Sequence, residues 1–270
     1  MLLFTLLAML VMQAPAGQAP AAPSSTAGLK ATIRISLAKL DVPAVRDAGK
    51  PSPLGNFGPL LTQILTPEGP VDIQYTIVGG DTRADITGRL ATLPRGTIVL
   101  QRVGDPMIRV ADPAGKTWYE LPASQNLGVL LGTPDVTIEP TGETATIAGQ
   151  RAERFRFRET LQVPVAEGVS LPPNLPKDVD LAGDLWSTDA YSGANYTAVF
   201  KTLQAFAAIP GVEALTAGGR FPLRIALRSS IMPGYELRSE VTTIGPASAD
   251  PSFFAVPSDY VKIQPPIGGD

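Results

Sequence analysis

Between residues 71 and 87 the side chains change polarity at nearly every step, and this period of two constrains the fold more than any other feature of the chain. Val71, Ile73, Tyr75 and Ile77 fall on one face of an extended strand, and Asp72, Gln74 and Thr76 fall on the other. Residues 81–87 continue the pattern. With Gly79-Gly80 as the two central residues of a turn, Ile77 opposes Thr82, Tyr75 opposes Ala84 and Ile73 opposes Ile86. Thr76 then opposes Arg83, and Gln74 opposes Asp85. A slip of one residue would turn every apolar side chain to the wrong side. Paired glycines tolerate the positive φ that type I′ and II′ turns require. A phosphate-cradling loop is the rival explanation of Gly79, Gly80, Asp81 and Arg83. No G-x-G-x-x-G or GK[ST] pattern is present and no helix follows, so the stretch reads as a hairpin.

Further strand-like runs lie at 31–38, 97–102, 107–111, 117–121, 143–147, 153–161, 184–188, 222–230 and 235–244. Turn formers separate them, as in "VGDP" and "DPAGK". In 153–161, Phe155 and Phe157 point one way while Arg154, Arg156 and Arg158 point the other. In the last pair, Leu223, Ile225 and Leu227 must share a face with Tyr235, Leu237 and Val241. A two-residue Pro233-Gly234 turn would mix the faces, so a three- or five-residue loop is expected. Helical spacing is found at Phe57, Leu60, Leu61, Ile64 and Leu65, and at Tyr196, Val199, Phe200, Leu203 and Phe206. Asn195 would cap the second helix and Pro210-Gly211 would stop it, and 123–132 would form a short third. The expected class is therefore α+β: an antiparallel sheet of about ten strands with two or three helices packed on one face. There is no regular βαβ alternation and no internal repeat.

The chain contains no cysteine and no histidine. Disulfides, thiol catalysis, thiolate metal sites and a lipobox cysteine are excluded, as are serine–histidine triads and histidine-based zinc sites within this chain. An enzyme built from it would rely on carboxylates, Lys, Tyr, Ser or Arg. The net charge of −3 offers no basic face to a nucleic acid. The first residues, "MLLFTLLAMLVMQAPAGQA", read as a secretory signal at 1–16. Its apolar core is too short to span a bilayer, and Ala14-Pro15-Ala16 supplies a cleavage pattern, although a positive n-region is missing. A flexible linker at 17–28 and a single domain at 29–270 follow, with no transmembrane segment after signal removal.

Two charged patterns bear on binding chemistry. In "DVDLAGDLWSTD", Asp178, Asp180, Gly183 and Asp189 occupy positions of a calcium loop. Ala182 stands where an oxygen ligand belongs, and "LPPNLPK" cannot form the entering helix. The stretch reads as an acidic surface loop leading into a strand. The same aspartates would be the carboxylates of a hydrolase, if two of them converged in a cleft. The second pattern is the set Arg154, Arg156, Arg158, Arg224, Arg228 and Arg238. It reads as a solvated strand face neutralised by Glu153, Glu159, Glu236 and Glu240, with an anion-binding face as the functional alternative.

Several runs carry a resemblance. They are "GGDTRADITG", "MIRVADPAGKTWYELP", "TATIAGQRAERFRFR", "GDLWST", "GGRFPLRIALRSS" and "DPSFFAVPSDYVKI", which together cover most of 71–263. In this order the chain resembles exported domains of unknown function related to the LolA/LolB-like lipoprotein carriers. The resemblance implies a curved sheet, a half β-barrel, whose concave face is covered by helices and holds acyl chains in the periplasm. The loops at 41–56 and 161–181 depart from the small carriers.

The function expected on these grounds is that of an exported, periplasmic or secreted, non-enzymatic protein that binds a lipid or other apolar ligand. No cofactor, metal or nucleic acid is expected. Candidate cleft residues are Tyr75, Trp118, Phe155, Phe157, Leu223 and Ile225 on the sheet and Val199, Leu203 and Phe206 on the covering helix. The same aromatic faces would also serve a filled core. The alternative is a cell-envelope protein-binding or assembly module that acts through loops and the Arg/Glu strand face.

Overall fold

A computed structural model describes residues 28–40, 69–89, 93–122, 135–162, 178–191, 219–230 and 234–265. Strands take up 69% of them, and they contain no α-helix. The α+β expectation is overturned: the described architecture is all-β, one open sheet of twelve strands. The stretches 57–65, 123–132 and 195–206, where helices were expected, lie outside the described residues, as do residues 1–27.

The strands are β1 (Gly28–Lys39), β2 (Val71–Val78), β3 (Asp81–Ile86), β4 (Ile98–Gln101), β5 (Met107–Asp112), β6 (Thr117–Pro122), β7 (Asp135–Ile147), β8 (Gln150–Gln162), β9 (Asp178–Thr188), β10 (Phe221–Ser229), β11 (Tyr235–Ala247) and β12 (Val261–Lys262). Two antiparallel meanders, β1 to β6 and β7 to β11, are joined where β11 pairs with β1. β12 runs parallel to β6 at one edge, and β7 forms the other. An open sheet this wide does not stay flat, because each strand adds its twist.

The β2–β3 register is the one the alternation requires: Ile73 faces Ile86, Tyr75 faces Ala84 and Ile77 faces Thr82. Gly79 and Gly80 both take positive φ, 61° and 92°, which a two-residue hairpin turn demands. In the last hairpin, β10 ends at Ser229 and β11 begins at Tyr235, and Leu227 faces Leu237. The five-residue connection keeps the apolar faces together.

Two elements are longer than their sequence pattern suggested. β7 begins at Asp135, but its register shifts between Pro140 and Thr144, which interrupts the alternation. β9 begins at Asp178, within the stretch that resembled a calcium loop. Its alternation runs through Val179, Leu181, Gly183 and Leu185 on one face and Asp178, Asp180, Ala182 and Asp184 on the other. An extended strand does not wrap a cation, and no metal-binding cluster occurs among the described residues.

The main core is built from alternate positions. Leu29, Ala31, Ile33 and Ile35 of β1 pack with Val71, Ile73, Tyr75 and Ile77 of β2, and the cluster extends to Ile108 and Val110 of β5 and to Phe157, Leu185, Leu223 and Ile225 of β8 to β10. A smaller cluster of Ile98, Leu100 and Ala111 lies on the other face of β4 and β5, covered by Trp118, Val256 and Tyr260. A 3-10 turn at Pro251–Phe254, capped by the Asp250 carboxylate, brings Phe253 beneath the Arg83 guanidinium.

Gly183 is the tightest backbone approach in the middle of the sheet. A Cβ there would overlap the Ala226 carbonyl oxygen on β10 and stand 3.0 Å from the Phe157 ring. Relief requires β9 and β10 to separate or Phe157 to leave its place. Gly183→Ala is expected to lower stability by about 1–3 kcal/mol, read as a fall in the urea midpoint at unchanged slope.

Candidate functional site

The sheet sorts its side chains by face, and the candidate site begins with that sorting. Of the expected cleft residues, Tyr75, Phe157, Leu223 and Ile225 lie in one buried cluster, with Phe155 half-buried against it. Tyr75 is fully enclosed, and burial pushes its phenol well above the usual range. Trp118 is different. It faces Ala111 across β5–β6 and packs on the smaller cluster of the opposite face, while its neighbour Tyr119 packs on the main core. The period of two decides this, because adjacent residues cannot share a face. Val199, Leu203 and Phe206 lie outside the described residues.

The opposite face carries paired charges in rows. One row crosses six strands: Asp72 faces Arg34, Arg34 faces Glu240, Glu240 faces Arg224, Arg224 faces Trp186 and Trp186 faces Arg154. Arg34 holds Asp72 by two hydrogen bonds of 2.7 and 2.9 Å, and Arg224 holds Glu240 at 2.9 and 3.1 Å. The Arg34 bond keeps the Asp72 carboxyl below its ordinary value despite partial desolvation. Arg154 binds both Asp184 and Glu143 and stacks over Trp186. Opposite charges on adjacent strands stabilise this face as they do in other sheets.

Glu236 is the buried member of this network. Burial opposes its ionisation, but hydrogen bonds from Arg238 (2.6 Å) and Arg228 (2.8 Å) prevail, and its carboxyl titrates below the ordinary value. Beside it lies a shallow depression of about 140 Å³, floored by Ala182, Gly183 and Ala226 and rimmed by Arg156, Arg158 and Arg228. Arg156 and Arg158 are exposed and make no ion pair within 4.0 Å among the described residues.

Glu159 contradicts its expected place. The sequence groups it with the carboxylates that neutralise the arginines, yet it shares the parity of Phe155 and Phe157 and points to the apolar side. It faces Val136 on β7 and Leu181 on β9, and only 2% of it is exposed. Among the described residues its Oε1 has no hydrogen-bond partner, and desolvation pushes the carboxyl up to about 7. Two other buried polar atoms without a partner among the described residues, Thr82 Oγ1 and Gln101 Oε1, belong to residues that face each other across β3–β4 on the same side. The signal for Glu159 in the sequence is its odd number, but the abundance of arginine beside it suggests a charge partner.

The aspartates of β9 do not converge. Asp178 and Asp180 are exposed, Asp180 accepts a hydrogen bond from the Thr160 hydroxyl, and Asp184 is held by Arg154. Among the described residues no helix is long and apolar enough to cross a membrane.

No protein-family model matches this chain, and no curated protein does. A solved structure of an uncharacterized conserved protein from Thermus thermophilus is similar over 89% of this chain and 91% of its own, at 8% identity and a TM-score of 0.43. A LolA superfamily protein from Nitrosomonas europaea is similar over 84% of this chain and 90% of its own, at 12% identity and a TM-score of 0.31. At such identities and TM-scores, function has to be argued from this chain's own geometry.

The two buried glutamates give opposite pH signatures. The Glu159 carboxyl is raised on folding, so its contribution to stability is complete below the unfolded carboxyl range and is lost as pH rises through about 7. Glu236 is lowered, so its contribution is present above the unfolded value and is lost as pH falls. The stability of the native protein should therefore decline by up to about 3 kcal/mol between about pH 5 and about pH 8. Glu159→Gln should remove that decline and leave the acid limb in place. Urea titrations across pH measure both limbs.

Proposed function

We propose that this protein is an exported, non-enzymatic carrier or binder of a lipid or another apolar ligand, held against the apolar side of its sheet. One observation carries the proposal. The apolar cluster runs without interruption from β6 through the β1–β11 seam to β8, and it includes Tyr75, Tyr119 and Phe157. A face of this extent offers an acyl chain contact along its whole length, at ~0.8 kcal/mol per methylene withdrawn from water. The residues of this face are already buried. Binding therefore exchanges protein contacts for ligand contacts, and affinity grows with the chain length that replaces them. No proton transfer or metal is required, which suits a chain without histidine or cysteine.

A second proposal has its own support. Arg156 and Arg158 make no ion pair among the described residues and lie beside the depression on the charged face, where an acidic segment of a cell-envelope protein would find them. Arg224 is less suited to testing it, because Glu240 already holds that side chain.

Native mass spectrometry of protein freshly isolated from an exporting host tests the first proposal. The expected result is a mass above that of the polypeptide, lost on organic extraction and recovered as lipid. A bare polypeptide that also fails to take up an apolar fluorophore would refute it. A protein partner retained by the wild type and released by the Arg156→Glu/Arg158→Glu variant would favour the second instead.

A further inference from the structure

Glu159 has no role in simple apolar burial, and its surroundings define what it can do. It lies two residues beyond Phe157 on the same side of β8. Among the described residues, its strand neighbours on this side are Phe157 on its own strand, Val136 and Ile138 on β7, and Val179 and Leu181 on β9. None of these titrates or carries charge. The nearest arginines in the chain, Arg156 and Arg158, alternate to the opposite face. Phe157 and Leu181 are themselves buried.

A carboxyl enclosed in this way, with neither cation nor donor beside it among the described residues, keeps its proton to a higher pH than an exposed one. The undissociated acid has one O–H to donate and a free carbonyl oxygen. Among the described residues the Glu159 carboxyl makes no hydrogen bond, and its Oε1 is buried and unpartnered. A donor left unused in an apolar surrounding is costly, and an acceptor brought by a ligand removes that cost.

We propose that Glu159 is the head-group site of the apolar ligand, donating a hydrogen bond as a neutral acid to an uncharged carbonyl of the ester or amide class, with the acyl chain laid along Phe157 and Leu181. The inference rests on the apolar-ligand proposal and narrows it to a chemical class. An anionic head group meets no cation beside Glu159 among the described residues and is repelled once Glu159 ionises. An amine head group would need the ionised carboxylate, which no donor beside Glu159 supports among the described residues; Arg220, the guanidinium on this side, is held by Glu153 over Phe155. The ester or amide is held only while the proton stays on Glu159. Release therefore follows a rise in pH.

The test compares two fluorescent probes that share one long alkyl chain, a methyl ester and a primary amine, titrated into wild type and Glu159→Gln. With the free carboxyl near about 7, only about one molecule in thirty is protonated at about pH 8.5. Ester affinity for the wild type should fall up to about thirtyfold between about pH 5.5 and about pH 8.5. The glutamine amide donates at either pH, so the variant should bind the ester with little pH dependence. Glu159→Leu, checked for folding by its urea midpoint, should bind the ester weakly at both. An ester affinity that is equally flat in wild type and Glu159→Gln overturns the inference while leaving the apolar-ligand proposal standing. Preference for the amine, strengthening as pH rises, also overturns it. Binding of neither probe at any pH defeats both proposals together.

Discussion

The pairing of β1 with β11 is the interaction on which the rest of the structure depends. It runs in register from Gly28 opposite Ala247 to Lys39 opposite Tyr235, broken only by a bulge at Thr32/Ile33. Each meander alone would end in a long unpaired edge at this seam, with backbone donors and acceptors exposed. Once joined, the two halves share one apolar side and one charged side. Arg34 of β1 shows the coupling directly: it is bonded to Asp72 of the first half and stands opposite Glu240 of the second.

The two sides obey different physics. On the charged side, carboxylates and guanidiniums are placed opposite one another, so each pair forms in a partly solvated setting where neither ion loses all its hydration. Glu236 shows the limit of that arrangement, since it is buried and stays ionised only through two arginines. On the apolar side such help is confined to Arg220, which pairs with Glu153 over the Phe155 ring, and it does not reach Glu159. Among the described residues Glu159 stands there without a counter-ion, and Thr82 and Gln101 present atoms without partners. Native proteins rarely leave buried polar groups in this state without a reason. The position of these groups on the side assigned to the ligand is what gives that side chemical character beyond bulk hydrophobicity.

Much of this was legible in the sequence where the period of two was unbroken. The β2–β3 register followed from Gly79-Gly80 and the alternation on either side, and the last hairpin followed from matching Leu227 with Leu237. Legibility failed at three kinds of residue. Pro140 and Gly142 disguised the first part of β7, because a bulge shifts the pattern that identifies a strand. Gly183 disguised β9, because a glycine among aspartates suggests a loop, whereas its purpose is to admit Phe157 and the Ala226 carbonyl. Trp118 and Tyr119 are adjacent and both aromatic, so composition could not say which of them belonged to the main core. The α+β class rested on helical spacing in stretches outside the described residues, whereas the described residues are all sheet, enlarged by the first halves of β7 and β9, which resemble loops along the chain.

By itself, the sequence determined that the chain is built from alternating strands, that its early hairpin closes on two glycines, and that chemistry depending on histidine or cysteine is closed to it. These are local properties, set by side-chain spacing, backbone freedom and residue inventory. Only the tertiary structure decided that twelve strands share one sheet, that Trp118 and Tyr119 part company, that Arg34 on β1 lies in a row with Arg154 on β8, and that Glu159 is stripped of water. Burial and counter-ion distance are set by strands remote in the chain, and no spacing along a single strand encodes which distant neighbour will stand beside it.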